Sequence, residues 1–509
     1  MSAAGRVSLK RAVLLLGVVA LGLWLLTVEL AVVGGGGGSA AADPAVRAAA
    51  AGGTRRAHAQ AAVRRSPDAW RTREWRRAVD RHAAVFRRHL ADGMLAASSV
   101  AVCLGGAQEA MALRELGVVG AVAVARERSP PLAVAGHDRR LPFPDSSVDF
   151  VYAGRALDFS ERQADLAGEA ARIVKPDGHG HLVVLTSGAS DAYSLRSLQS
   201  LLPSLRLLRS RVINDSDGST LRELVFRKHA DIPTTTVTPP SNGNNSGGSC
   251  ANRDHKLEII GLAEPLIRDE PAKPWITLKR NIKNIMYLPA LADIGFKRRY
   301  VYVDVGARSY GSSIGSWFRK QYPKQNHTFE VFAVEADPAF HADYARRRGV
   351  ALLPYAAWVR NETLTFEIND GPGPGKKKGG AGGDAGGKPN GRGMGRIRRA
   401  AGETRGVSSG EVRRVPAFDL AEWLKRTASG QDYVVMKMDV EGTEFDLVPR
   451  MIDTGAICLV DELFLECHYN RWQRCCPGER SPKYQNTYGD CLKLFTSLRN
   501  SGVLVHQWW

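Results

Sequence analysis

What most constrains this chain is a pattern that it shows twice. Over residues 98–229, and again over 257–509, short β-branched runs alternate with stretches of helical periodicity. Strands separated by helices pair in parallel, because each helix carries the chain back across the sheet before the next strand begins. Each segment is therefore expected to be an α/β unit, a mostly parallel sheet with flanking helices. Sheets of this kind bind ligands beyond the carboxyl ends of their strands, so strand ends are where function should be sought. Between the two segments, 230–256 is rich in Thr, Pro, Asn, Gly and Ser and reads as a linker.

Ahead of the first segment, Arg6, Lys10 and Arg11 precede an apolar run from Ala12 to Leu26 that continues weakly to Val33. A bilayer-spanning helix needs about 20 apolar residues and a cleaved leader core about 10–15. The run lies between these lengths. Basic residues upstream hold the amino end in the cytoplasm. The expectation is a cytoplasmic tail and uncleaved signal anchor over 1–33, giving a single-pass type II membrane protein whose body lies in the secretory pathway, above all the Golgi. A cleaved leader or transit peptide is the alternative, with a cleavage site in the small residues of Gly34–Ala42. Asn214, Asn244, Asn326 and Asn361 head Asn-x-Ser/Thr sequons that a lumen would glycosylate. Cys467, Cys475, Cys476 and Cys491 either pair under oxidising conditions or stay free. Their spacing fits no zinc site, and no metal is expected.

The net charge of +18 is concentrated in segments that do not build a core. Residues 34–97 read as a stalk and an Arg-rich helix. Between Arg55 and Arg88 there are 11 Arg, and Trp75, Val79, Phe86 and Leu90 recur near helical spacing. Residues 371–410 carry Gly, Lys and Arg with almost no large apolar side chain, and are expected to be a disordered basic insertion in the second unit. Charge placed in this way does not call for a nucleic-acid partner. Polyanion binding by the insertion is one alternative.

In the first segment Val100–Leu104 is a strand ending in Gly105-Gly106, and further strands are expected at Gly120–Ala125, Val148–Tyr152 and His181–Leu185. Ser160 and Gln163 fit a capping box for the intervening helix. The order of elements, with Leu141–Asp149 and Arg172–Gly178, resembles small-molecule class I methyltransferases and their "LPFPDxSFD" and "RxLKPGG" segments. The departures are Cys103 in place of the acid that opens the family's glycine loop, and Ala125-Arg126 where a carboxylate would hold ribose. The resemblance with these departures implies a degenerate, structural domain over 98–229.

The second segment is richer. A strand from Arg299 to Val303 runs into Asp304-Val-Gly306-Ala-Arg-Ser-Tyr-Gly311, and a helix is expected over Ile314–Arg319. The strand Val331–Val334 ends in Glu335-Ala-Asp337, and a carboxylate there can accept both ribose hydroxyls of an adenosine. Tyr433–Met438 runs into Asp439-Val-Glu441-Gly-Thr-Glu444, with Glu444 and Asp446 read as helix-cap or surface charges. The pieces VDVGA (303–307), VEADP (334–338), Tyr355–Trp358, the helix after Asp419 and KMDVEGTE (437–444) resemble FkbM-type S-adenosylmethionine-dependent methyltransferases. The chain also resembles plant proteins that pair such a domain with a degenerate methyltransferase segment behind one membrane anchor.

That resemblance implies two Rossmann-like class I methyltransferase domains behind an amino-terminal transmembrane helix. It implies S-adenosylmethionine as cofactor, held by Asp304, Gly306, Gly311, Glu335, Asp337 and Glu441, with Asp439 at the boundary with the substrate. The acceptor is expected to be a hydroxyl of a glycan or small metabolite. His468, just after Glu466 at a strand end, is the candidate base as a neutral imidazole, with Asp439 as the substitute. A catalytically inactive scaffold is the competing reading.

Overall fold

Apolar runs of three to six residues form the central strands of the first half. Ala101–Cys103 (β1), Val122–Ala125 (β2), Ala133–Ala135 (β3), Phe150–Gly154 (β4) and His181–Thr186 (β5) pair in parallel. Leu205–Asn214 (β6) and Thr220–Lys228 (β7) complete a sheet of order β3-β2-β1-β4-β5-β7-β6, with β7 antiparallel to both neighbours. Every residue of β1 and β4 is buried, as expected of strands covered by helices on both faces. The structure is a computed structural model and describes residues 72–176, 178–214, 218–228, 250, 253–270, 282–323, 328–370, 392–397, 411–473, 478–481 and 483–508.

The Arg-rich helix is present as Arg73–Ala91 (α1), capped by Thr72, whose side chain accepts from the Trp75 amide. Its buried face is Val79, Ala83 and Phe86, and the Phe86 ring packs 4.7 Å from that of Tyr152. The helix thus belongs to the core of the first half, and the boundary expected at 98 moves back to its start. The capping box is also corrected. The helix Gln163–Ile173 (α2) has no side-chain cap, because Gln163 instead accepts from the Phe296 amide at 3.0 Å and Ser160 donates to Asp138.

In the second half, Tyr300–Val305 (β8), Phe329–Val334 (β9), Val350–Leu353 (β10), Tyr433–Met438 (β15), Glu462–Glu466 (β16) and Leu504–Trp508 (β17) form a wholly parallel sheet of order β10-β9-β8-β15-β16-β17. Between β10 and β15 the chain builds a separate four-stranded sheet from Ala356–Trp358 (β11), Glu362–Asp370 (β12), Arg392–Ile397 (β13) and Glu411–Asp419 (β14). Strand β13 lies inside the stretch expected to be disordered. It pairs antiparallel with β12, and Gly395 leaves the space over which the Phe366 ring lies. The rest of 371–410 is outside the described residues.

The halves meet directly. The Tyr193 hydroxyl donates to Asp461 at 3.1 Å and the Gln431 side chain donates to the Ser200 carbonyl at 2.6 Å. Disulfides join Cys250 to Cys458 and Cys467 to Cys491. The pairing of Cys467 with Cys491 is among the alternatives the sequence allows, whereas the first bridge links residues 208 apart that no local pattern connects. Cys475, Cys476, Asn244, Asn326 and the expected anchor and stalk up to residue 71 lie outside the described residues. Among the described residues no helix is long and apolar enough to cross a membrane.

Candidate active site

In the second sheet the chain steps from β8 through β9 to β10 on one side, then crosses to β15 and steps through β16 to β17 on the other. The direction reverses between β8 and β15, which leaves a crevice at their carboxyl ends where open α/β sheets take ligands. Gly306 turns the chain there with φ of +80°, and a Cβ at that position would lie 1.9 Å from the Asp439 carbonyl oxygen. Only glycine lets the two strand-end loops pass this closely. The Gly306 and Ala307 amides both donate to the Val334 carbonyl at 3.0 Å, which ties β9 to the same corner.

A cavity of about 90 Å³ opens at this corner, lined among others by Gly306, Glu335, Asp337, Asp439 and Glu441. Five residues named from the sequence therefore share one site. Glu335 accepts from the Arg308 and Asp337 amides, each at 2.6 Å, and burial pushes its carboxyl up to about 7 against the pull of those amides. Asp337 also accepts from the Ala339 amide at 3.0 Å and starts a short helical turn. Glu441 accepts from Lys483 at 2.8 Å and from the Tyr484 hydroxyl.

Two of the residues expected to hold the cofactor are not on the cavity. Asp304 is fully buried, bonded to the Ser313 hydroxyl and 3.5 Å from the Lys437 ammonium. It positions the corner and does not face a ligand. Gly311 faces open space, and the helix expected at Ile314–Arg319 is a single turn over Ile314–Phe318. Lys437, to which the sequence reading gives no role, also stands 3.6 Å from Asp439 and bridges the two acids. Burial works against its charge, but Asp304 and Asp439 outweigh it and raise its pKa. A signal for it exists: a lysine inside an otherwise apolar strand has to find an anion.

The expectation for His468 requires correction. The side chain is buried and does not line the cavity, and Glu444 accepts from its backbone amide at 2.6 Å and lies 3.3 Å from Nδ1. Burial opposes the charge, but the hydrogen bond to Glu444 and the nearby Glu441 and Glu466 outweigh it and raise the imidazole to about 9. It is protonated at neutral pH and is no base in that state. Glu444 itself is fully buried, so it is neither a surface charge nor a mere cap. Glu466 is pushed up to about 7 by burial and by Asp439. Asp439 lines the cavity, and its Oδ1 is buried without a hydrogen-bond partner.

The first half has the larger cavity, about 1380 Å³, at the carboxyl ends of its own strands. Glu109, nearly fully buried, accepts from the Gly105 amide at 2.9 Å, and a Cβ at Gly105 or Gly154 would strike its carboxylate within 2.5 Å. The space that the glycine loop leaves is taken by this side chain. Arg126 lines the wall where the sequence lacks a ribose carboxylate.

Both halves are thus Rossmann-like α/β units, and comparison with known proteins finds a methyltransferase match in the first. A profile described as a methyltransferase domain matches residues 117–182, beginning after the Gly105-Gly106 turn. A second, described as a domain of unknown function (DUF7870), matches 261–364 and 399–509, leaving out most of the insertion. The biotin biosynthesis bifunctional protein BioHC of Cellvibrio japonicus is 35% identical over 71 residues, 14% of this chain and 14% of that protein, so the chain spans a small part of that relative's length. Solved structures include a methyltransferase from Methanosarcina mazei (15% identity, 28% of this chain, 98% of that one, TM-score 0.22). Another is the 1,6-didemethyltoxoflavin-N1-methyltransferase of Burkholderia thailandensis with bound S-adenosylhomocysteine (14% identity, 38% and 94%, TM-score 0.25). The methyltransferase profile, whose match lies in the first half, supports methyl transfer by the chain in general and S-adenosylmethionine as the cofactor.

Proposed function

We propose that the second half is an FkbM-type S-adenosylmethionine-dependent methyltransferase acting on a hydroxyl of a glycan or small metabolite, with the first half as a structural partner that binds no donor. The observation that carries this reading is the gathering of Gly306, Glu335, Asp337, Asp439 and Glu441 around one cavity at the reversal point of a parallel sheet. Bound S-adenosylmethionine supplies a sulfonium methyl group. Glu335 suits the donor's ribose, since each carboxylate oxygen accepts one amide and keeps a lone pair for a hydroxyl. Phe340, Tyr355 and Ile397 supply apolar wall for the adenine. Asp439 Oδ1, which no hydrogen bond occupies, accepts the proton of the acceptor hydroxyl.

Ligand pockets ordinarily hold about 300–1,000 Å³, so the 90 Å³ cavity is too small to take the whole donor as it stands. Phe366 of β12 and Gly395 and Ile397 of β13 line it, and this part of its wall has to move to admit the donor. A cavity this small also favours the second reading, an inactive scaffold. The lumenal location behind an anchor over 1–33 belongs to the same proposal, supported by the two disulfides and by the exposed Asn214 and Asn361. Calorimetric titration of S-adenosylmethionine into the full chain decides between the readings. One site per chain is expected, weakened by roughly 1–3 kcal/mol in Glu335→Ala. No binding to the wild type would leave the scaffold.

A further inference from the structure

Beside the cavity, the ends of β15 and β16 bring Asp439, Glu466 and His468 together so that one donor atom of each lies within 4.8 Å of the others. His468 is 4% exposed, and its Nε2 stands 3.7 Å from Asp439, 3.9 Å from Glu466 and 3.9 Å from Glu441. None of these is a hydrogen bond. The buried imidazole nitrogen thus lies within ion-pair distance of three carboxylates, and Asp439 Oδ1 at the gap between them is buried without a hydrogen-bond partner. An unsatisfied buried carboxylate oxygen of this kind calls for a ligand or ion beside it.

Three features choose between those. The Glu444 carboxylate beside Nδ1 makes that nitrogen a donor, so an ion entering the gap takes the place of the Nε2 proton and meets the Nε2 lone pair; metal-binding histidines are oriented in the same way. Lys437 stands against Asp439 Oδ2, which leaves Oδ1 turned to the gap. Finally, bonds of about 2.1 Å from one ion to Nε2 and to an oxygen 3.7–3.9 Å away subtend roughly 120–135°, an angle that a first-row divalent ion accepts after a small adjustment.

We propose that Asp439 Oδ1, Glu466 and His468 Nε2 bind one divalent first-row transition metal ion, with Glu444 as the residue that orients the histidine. Two oxygens and one imidazole favour Mn²⁺ or Zn²⁺ over Ca²⁺. Three protein ligands leave positions open toward the cavity, where an acceptor oxygen could complete the coordination and lose its proton to water more easily, in place of direct transfer to Asp439 Oδ1. This last role rests on the methyltransferase reading; the binding itself does not.

Mn²⁺ is the probe. The full chain is titrated with Mn²⁺ while the electron paramagnetic resonance signal of the free ion is followed. One site per chain is expected, weakened at least tenfold in Glu466→Gln and in His468→Gln, and unchanged in Asp337→Asn, whose carboxylate lines the cavity away from the gap. Only variants that keep the wild-type melting temperature are compared. The proposal is overturned if the wild type shows no stoichiometric Mn²⁺ site, or if both variants bind as the wild type does. A chain that binds S-adenosylmethionine but no Mn²⁺ sinks the metal site alone. One that binds Mn²⁺ but no S-adenosylmethionine sinks the methyltransferase reading alone.

Discussion

Substituting alanine for Gly306 tests the corner on which the site depends. The position has φ of +80°, a region that costs an L-residue roughly 1–2 kcal/mol. The new Cβ would lie 1.9 Å from the Asp439 carbonyl oxygen, so either that loop or the end of β8 must move by more than an ångström. Relief of an overpacked contact costs about 1–3 kcal/mol more. The sum is roughly 2–5 kcal/mol, which for a half of this size lowers the melting temperature by roughly 5–15 °C. Gly311→Ala is the matched control: its Cβ meets nothing within 4 Å, and the change should be within about 0.5 kcal/mol. Thermal melts of the two purified variants against wild type give the answer. If Gly306→Ala melts with Gly311→Ala, the two strand-end loops do not cross as described and the site built on that crossing is wrong.

Two further outcomes are expected. Lys437→Met leaves Asp304 buried without its cation and should destabilise by about 3–5 kcal/mol in urea unfolding, while adding Asp304→Asn should restore much of the loss; a single variant within about 1 kcal/mol of wild type would refute the bridge. Stability should also fall as pH rises from about 5 to 8. Burial raises Glu335 to about 7 and Glu109 to about 8; on His506 it opposes the charge, but Glu264 and Glu462 outweigh it and raise the imidazole to about 8. Each folded pKa lies above its unfolded value, so each group holds its proton longer when folded. The stabilisation is complete below the unfolded pKa and lost as pH passes the folded one. Melting temperatures that stay level or rise across that range would contradict the burial of these groups.

The strands are legible in the sequence because their signal is local. Tyr433–Met438 follows from its apolar run and is observed with those bounds, and Glu335 is expected at a strand tip and is found there. The site is legible as a set, since five of its acids and glycines converge. The sequence misleads where a residue's partner is distant along the chain. Glu444 resembles a cap because four residues of context cannot reveal His468, 24 positions on. The imidazole resembles a base because, of the carboxylates that hold its proton, only Glu466 is near it in sequence, while Glu441 and Glu444 come from another strand end. Strand β13 resembles a disordered stretch because Gly, Lys and Arg dominate the sequence around it; Phe366 on the facing strand packs over Gly395.

What the sequence by itself determined is the alternation of strand and helix, the parallel sheets that follow from it, and which glycines and acids end the strands, all of which depend on neighbours a few residues away. Which of those acids face a cavity, which are neutralised within the protein, and which surround a histidine depend on groups brought together from separate strands. Burial and charge act through space over a few ångströms, so only the folded chain could decide that Asp304 supports the site while Asp439 opens into it.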